Sequence, residues 1–428
     1  MTIKKEFKIR NFIEKKLKNN ENKKFKKGKS SIPLAIPPYG KDEILEALDS
    51  LLAKQTTMGT KVKKFEKKFS EYIANKHSLM VNSGSSANLL ALSILSNPIL
   101  GKKQIKHQDE IITPAVTWAT TVYPILNIGA IPKFVDVRLN DFNIDETKIE
   151  NSISKKTKAI MIVHLLGNPC NIDKIKKIAK KFNLWLIEDS CEAHGAKFKN
   201  KHVGTFGDIS TFSFFASHHI TTMEGGMVCT NSKLLYDLGK SMRTFGWARE
   251  LPNKNKIETE NPNIDPRFLF VNMGFNFRPT ELQGAFGIHQ IKKLENLVKI
   301  RIKNAQYWNQ KLKSLEKYLL LPIIHNHKRN SFLFYPITVI ENQYFSKNEL
   351  VKYLEKNRIE TRPIMTGNMT EQPVSKIFTF KQNHNLKNSQ YITKNSFVIG
   401  NHHKMTDEIK KFIVDTIYDF ISSKTKLV

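Results

Sequence analysis

Cysteine is scarce in this chain: Cys170, Cys191 and Cys229 are the three in 428 residues. An odd number without Cys-x-x-Cys spacing argues against a disulfide framework and fits a reducing cytoplasm. The sequence also has no run of about eighteen apolar residues, the length a membrane-spanning helix needs. Its basic N-terminus lacks the apolar stretch of a signal peptide. A cytoplasmic chain with no membrane insertion is therefore expected. Acidic side chains are few as well, 39 against 69 lysines and arginines, for a formal charge of +30. Such an excess invites a nucleic-acid reading. The lysines, however, are spread through ordinary helical segments such as 173–181 and 292–303, and no nucleic-acid motif accompanies them. Lysine, asparagine and isoleucine are abundant together, which is a general compositional bias, and no nucleic-acid partner is expected. His402 and His403 lack metal-ligand spacing to other candidates, so no metal site is expected either.

What is present divides into three stretches. Residues 1–31 are lysine-rich with few apolar anchors and read as a basic N-terminal extension, partly disordered. Residues 32–290 read as a large domain, and 291–428 as a helical linker and a small C-terminal domain that mixes strands and helices. Helices are predicted from Lys41, where Ile44, Leu45, Leu48, Leu51 and Leu52 recur at helical spacing, and from Thr60, with Val62, Phe65, Phe69 and Tyr72 on one side. Apolar strands follow at 79–82, 109–114, 131–137, 159–164 and 184–189, separated by helical segments. That alternation predicts crossover units and a mostly parallel sheet with its sites at the carboxyl ends of the strands.

Three of those strand ends carry candidate chemistry. Ser83-Gly84-Ser85-Ser86 lies between a strand and a helix, where free N–H groups and the dipole suit a phosphate, although Ser and Gly also cap helices that bind nothing. Asp189 closes an apolar strand; a carboxylate there could merely cap the next helix. The stretch from Asp208 to Val228 reads as a strand, a turn carrying His218 and His219, and a second strand. Adjacent side chains on extended backbone point to opposite faces, so this pair cannot readily grip one ion, and a structural histidine remains an open reading.

Ser213-Phe214 followed by a turn and Glu224-Gly225-Gly226 resembles the cofactor segment of the DegT family, sugar aminotransferases and dehydratases of the type I pyridoxal-phosphate fold. The resemblance extends over nearly all the chain beyond Ile32. It implies an α/β fold with a mostly parallel seven-stranded sheet between helices, plus a smaller α+β C-terminal domain. The residue matching His218 is normally a lysine that binds pyridoxal phosphate covalently. Here it is histidine, and no lysine lies between Lys201 and Lys233 to replace it. Ser217-His218-His219-Ile220 with Met223-Glu224-Gly225-Gly226 resembles the histidine-bearing branch, nucleotide-sugar 3-dehydratases that use pyridoxamine phosphate to remove a hydroxyl.

By the same resemblance, His218 is the catalytic base. Gly84, Ser85, Ser86 and Ser213 contact the cofactor phosphate, Trp118 lies against its ring, Asp189 pairs with the ring nitrogen, and Glu192 stands nearby in a place that usually holds Gln or His. Asn276 reaches the phosphate of a neighbouring subunit, which implies a homodimer with shared sites. His219, Arg249 and Arg362 are expected on the substrate side. The implied partners are a nucleotide-linked 4-keto-6-deoxyhexose and glutamate, in deoxysugar synthesis for a surface polysaccharide such as O-antigen. One histidine-bearing branch carries an iron–sulfur cluster on cysteines placed after the position of Trp247; that region has none here, so no cluster is expected. An ordinary aminotransferase would need the missing lysine. A homologue that only binds a ligand would have no need of Asp189, Ser213, Asn276 and the phosphate turn together.

Overall fold

The fold is built around one large sheet whose short strands are apolar on both faces, as burial between two helical layers requires. A computed structural model describes residues 3–21 and 24–425. Its main strands are β1 (His77–Val81), β2 (Glu110–Pro114), β3 (Ile131–Val135), β4 (Thr157–Val163), β5 (Trp185–Asp189), β6 (Ile209–Ser213) and β7 (Gly226–Thr230). The C-terminal part adds β8 (Leu319–Leu320), β9 (Tyr335–Val339), β10 (Thr361–Pro363), β11 (Lys381–Gln382) and β12 (Ser396–Ile399). The main sheet runs β1-β7-β6-β5-β4-β2-β3-β11; β7 is antiparallel to both of its neighbours and the other pairs are parallel.

Side-chain alternation sends neighbouring residues into opposite layers. Leu79 and Val81 pack with Leu90 and Ile94 of a helix over Gly84–Leu95, while Met80 between them packs with Phe65 and Phe69 of a helix over Thr60–Ile73. The linker helix, Glu281–Lys311, starts at a reciprocal cap in which Gln283 N–H donates to Thr280 Oγ1 and Thr280 N–H to Gln283 Oε1. At 1.5 Å per residue it is about 46 Å long. It lies against the large sheet through Ile291 and Leu294 and reaches the C-terminal core through Ala305 and Trp308. That core covers a four-stranded antiparallel sheet, β8-β9-β12-β10.

Two features differ from the sequence-based expectation. The large sheet has an eighth strand: β11 comes from the C-terminal part and pairs parallel with β3. It is two residues long, too short to show periodicity. Within the basic extension, a helix spans Ile3–Glu21, and its Glu14 pairs with Lys41 of the next helix at 3.0 Å. The inward positions Ile9, Ile13 and Leu17 recur every four residues, enough for one apolar stripe.

The eighth strand is fastened by charge. Glu110 on β2 is buried, and it accepts from Lys133 of β3 at 2.9 Å, from Lys381 of β11 at 2.9 Å and from Ser154 at 2.7 Å. Burial opposes its ionisation, but these hydrogen bonds and the lysine charges outweigh it and hold the carboxyl down at about 2. Its contribution to stability is therefore complete above the ordinary carboxylate range and is lost as the pH falls toward 2. Lys133→Met, which leaves Glu110 short of a buried partner, is expected to cost about 3–5 kcal/mol in denaturant unfolding at pH 7. A loss below about 1 kcal/mol would show that the cluster holds nothing together.

Candidate active site

The carboxyl ends of β1, β5 and β6 adjoin, and most of the candidate residues gather there. Ser83 caps the helix after β1, accepting from Ser86 N–H at 3.1 Å, so that Gly84, Ser85 and Ser86 form the helix's first turn. Gly84 lies against Ser213 at the end of β6: a Cβ on Gly84 would stand 2.4 Å from Ser213 Cβ and 2.7 Å from its Oγ. The two turns expected to share a phosphate therefore touch, and only glycine permits it.

Asp189 ends β5 and is buried. Its Oδ2 accepts from Asn88 Nδ2 at 2.9 Å and Thr121 Oγ1 at 2.8 Å, and its Oδ1 accepts from the N–H of Cys191 at 3.1 Å. Three donors without a cation hold the carboxylate in one orientation. Trp118, one turn before Thr121, is the N-cap of its helix and remains 53% exposed. A large indole left half open beside a buried carboxylate offers a face for a flat ring.

His218 follows the turn after β6. Its Nδ1 is buried without a hydrogen-bond partner. Burial, and secondarily the charge of Arg301, push the imidazole down to about 4, so it is neutral at pH 7 and able to accept a proton. Glu192 has the opposite bias. It is buried with one oxygen accepting from Leu166 N–H at 2.7 Å, and burial, followed by the charge of Asp189, raises it to about 8. A base that stays neutral and an acid that stays protonated are the pair an acid–base site requires.

Other expected residues are placed elsewhere. His219 is not on the substrate side: it is fully buried, and its Nε2–H donates to the carbonyl of Ser331 at 3.1 Å. Within the same turn the His218 ring is half-buried and its neighbour is turned fully inward. Arg249 lies 3.4 Å over the ring of Trp247, in a groove of about 850 Å³ lined by Glu66, Lys76 and Lys240. Within one chain that groove is separate from the gathered strand ends. Arg362 on β10 is exposed and paired with Glu360 at 2.6 Å, but the loop after it returns to the site: Thr366 and Met369 N–H groups donate to Thr117 and Ala115 carbonyls, beside Trp118. Asn276 is exposed, accepts from Arg278 Nε at 3.0 Å, and sits in a segment whose Phe277 carbonyl accepts from Asn82 N–H next to the phosphate turn.

The sequence reading missed Asn88, Thr121 and His194. His194 is buried, both ring nitrogens without a partner among the described residues, 6.2 Å from the ring of His218 and 5.7 Å from that of His219. Asn88 stands four residues after Gly84, on the helix face that looks back to the turn, a spacing that could have marked it.

Residues 38–418 match the model of the DegT/DnrJ/EryC1/StrS aminotransferase family. The chain belongs to that family. Among its DegT relatives is the GDP-4-keto-6-deoxy-D-mannose 3-dehydratase of Escherichia coli O55:H7, 40% identical over 382 residues, covering 88% of this chain and 97% of the relative. A crystal structure of GDP-4-keto-6-deoxymannose-3-dehydratase with a trapped PLP-glutamate geminal diamine superposes with a TM-score of 0.84 at 38% identity, covering 90% of this chain and all of that one. Another, a mutant of the same enzyme with bound GDP-perosamine, gives the same TM-score, identity and coverage. This DegT chain is therefore a pyridoxal-phosphate enzyme of the type I fold.

The residues present fit that cofactor: a cradle that a Cβ on Gly84 would fill, a fixed carboxylate in Asp189, the open face of Trp118, and the imidazole of His218 where the family's aminotransferases have a lysine amine. Gly84→Ala should weaken pyridoxamine-phosphate binding about 5- to 150-fold in equilibrium dialysis, since a methyl forced onto Ser213 costs about 1–3 kcal/mol. Unchanged binding would remove the phosphate from this turn. In the cofactor-free protein, an NMR titration should find the His218 ring still neutral at pH 5.5. A midpoint at or above the ordinary 6.5 would contradict the burial described here.

Proposed function

We propose that this chain removes the C3 hydroxyl of a nucleotide-linked 4-keto-6-deoxyhexose, with glutamate as the amino donor. The observation that carries the proposal is His218 at the position where the family's aminotransferases place lysine, in a site that otherwise fits the cofactor. When bound, the cofactor supplies an amine for the sugar ketone and a ring that can take up electrons. Asp189, fixed by Asn88, Thr121 and the Cys191 amide, would hold a proton on the ring nitrogen, Trp118 would support the ring face, and the Gly84–Ser86 turn with Ser213 would anchor the phosphate.

His218 then moves one proton. With Nδ1 buried, Nε2 is the atom available to accept it. The neutral imidazole would take up a proton on Nε2 and deliver it to the departing C3 oxygen, which leaves as water; the cofactor, when bound, would supply that proton and the electrons for the elimination from its amine-bearing carbon. Lysine would instead hold the cofactor covalently and return the proton to the sugar carbon, completing an amino transfer. Glu192, protonated at neutral pH, can donate a hydrogen bond where a carboxylate would repel the negative charge developing nearby. Over a full cycle the reaction balances when sugar and glutamate give 3-deoxy ketosugar, 2-oxoglutarate and ammonia: the amino carbon of glutamate is oxidised as C3 of the sugar is reduced.

A homodimer belongs to the same reading. Asn276 is exposed and lies with Phe268, Phe270 and Met273 in an apolar loop that its own chain does not cover, which suits a segment that completes the site of a second copy. Asn276→Ala should then weaken cofactor binding. Restoration of one working site when the mutant is mixed with a His218→Ala chain is the outcome expected of shared sites, and no restoration would place each site within one chain.

The reaction is tested by incubating the protein with pyridoxamine phosphate, glutamate and GDP-4-keto-6-deoxymannose and measuring product mass. A product lighter by one oxygen, formed about 10²–10⁴-fold more slowly by His218→Ala, is expected. A 4-amino sugar that keeps its C3 oxygen would refute dehydration.

A further inference from the structure

Several buried carboxylates in this protein face a buried cation: Glu110 faces Lys133, Asp141 Lys328 and Glu66 Arg243. Arg301, on the linker helix, is 2% exposed and has no carboxylate partner among the described residues. Its Nη1 donates instead to two backbone carbonyls, that of Leu333 at 2.7 Å and that of Asn401. A guanidinium taken from water and left without an acid is costly, and a methionine would fill the volume without that penalty. The position therefore asks for a role that a neutral side chain could not fill.

The two carbonyls show where the force goes. Leu333 ends a three-residue segment that faces the active site. Ser331 carbonyl accepts from His219 Nε2, Ser331 N–H donates to Gly167 carbonyl at 3.0 Å, and Leu333 N–H donates to Leu166 carbonyl at 2.9 Å. Leu166 N–H in turn donates to Glu192. Asn401 grips the middle of the segment, its Nδ2 donating to Phe332 carbonyl at 3.2 Å. Both sides of this junction are strained: Leu166 has φ of +55° and Phe332 of +48°, in the left-handed region that side chains other than glycine rarely adopt. Gly167 between them leaves no slack, since a Cβ there would lie 2.4 Å from Ser331 Oγ. Such a conformation persists only when its surroundings over-determine it, and Arg301 is the buried group that holds the segment from behind.

We infer that Arg301 is a positioning residue for the dehydration, an inference that rests on that reading: its unneutralised guanidinium pins Ser331–Leu333 and thereby holds the His218–His219 turn and the Glu192 carboxyl in fixed relation. The charge adds to the clamp. After burial, Arg301 is the main influence keeping His218 and His219 uncharged. The titratable groups around His218 are His194 from the turn after β5, His219 from its own turn and Arg301 from the linker helix, with Asp189 and Glu192 on the same turn as His194. The guanidinium on the linker helix is the fixed cation of this set.

Two substitutions separate clamp from charge. Arg301→Gln removes the cation, and Arg301→Lys keeps it but replaces the planar fork by a single point. In the cofactor-free protein, NMR titration of the histidine rings should give Arg301→Gln a His218 midpoint at least about tenfold less acidic in proton concentration than the unaltered chain, and Arg301→Lys a midpoint close to it. In turnover, Arg301→Lys should lose about tenfold or more in kcat with KM for the nucleotide sugar within about twofold, because misplacement costs rate rather than binding. Arg301→Gln should carry the acid limb of kcat upward with the His218 midpoint. An Arg301→Gln protein that folds, with both the midpoint and the pH profile unmoved, would overturn the inference. If that variant does not fold, an Arg301→Lys protein with unaltered kcat would do so. The titration needs no substrate, so failure of the unaltered protein to dehydrate any nucleotide sugar would sink the reaction separately and leave the midpoint to decide the role of Arg301.

Discussion

One buried carboxylate organises the site. Asp189 Oδ2 binds Asn88 and Thr121, and Asn88 Oδ1 accepts in turn from Thr211 Oγ1 at 2.5 Å. Asn88 belongs to the helix that begins at Gly84, Thr121 to the helix that Trp118 caps, and Thr211 to the strand that ends at Ser213. The Gly84 turn, the Trp118 helix and the strand leading to His218 are thus fixed relative to one oxygen atom. Removing that acceptor would leave the hydroxyl proton of Thr121 without its buried acceptor and reduce the Asn88 amide to its bond with the Thr120 carbonyl, so two donors would be affected at once.

Electrostatically, the site is arranged around neutral groups. His218, His194 and His219 are uncharged because burial and a fixed cation penalise their protonation. Glu192 is uncharged because burial and Asp189 penalise its ionisation. In such surroundings a proton can pass between an imidazole and a leaving oxygen without first having to be drawn from a strong ion pair. The strongly paired charges, such as Glu110 with its lysines, are kept at the edge of the sheet, where their work is to fasten β11.

Much of this was legible in the sequence. The strands announced themselves by apolar β-branched runs and the strand-to-helix turn by Ser83-Gly84; Asp189 stood at a strand end where such sheets bind ligands. Other features left weaker traces. His219 adjoins His218 in the turn, yet its ring is fully buried and bonded to the Ser331 carbonyl, a placement that the turn's tertiary packing decides. The strand at Lys381–Gln382 is too short to carry a pattern, and its pairing is decided by distant charges. Arg301 was hidden among Lys299 and Lys303, where the surrounding lysines made every cation look like part of a solvated surface. Its burial is a tertiary fact that local sequence does not encode.

Stoichiometry is the most direct test of a glutamate-driven dehydration. With glutamate in excess and a limiting amount of the 4-keto-6-deoxy nucleotide sugar, 2-oxoglutarate, ammonia and oxygen-depleted sugar should appear in equal amounts. Equal appearance would show that glutamate drives the loss of the C3 hydroxyl at a site built on histidine. 2-Oxoglutarate matched by a nitrogen-containing sugar, with no ammonia released, would contradict it and make the chain an aminotransferase without its lysine.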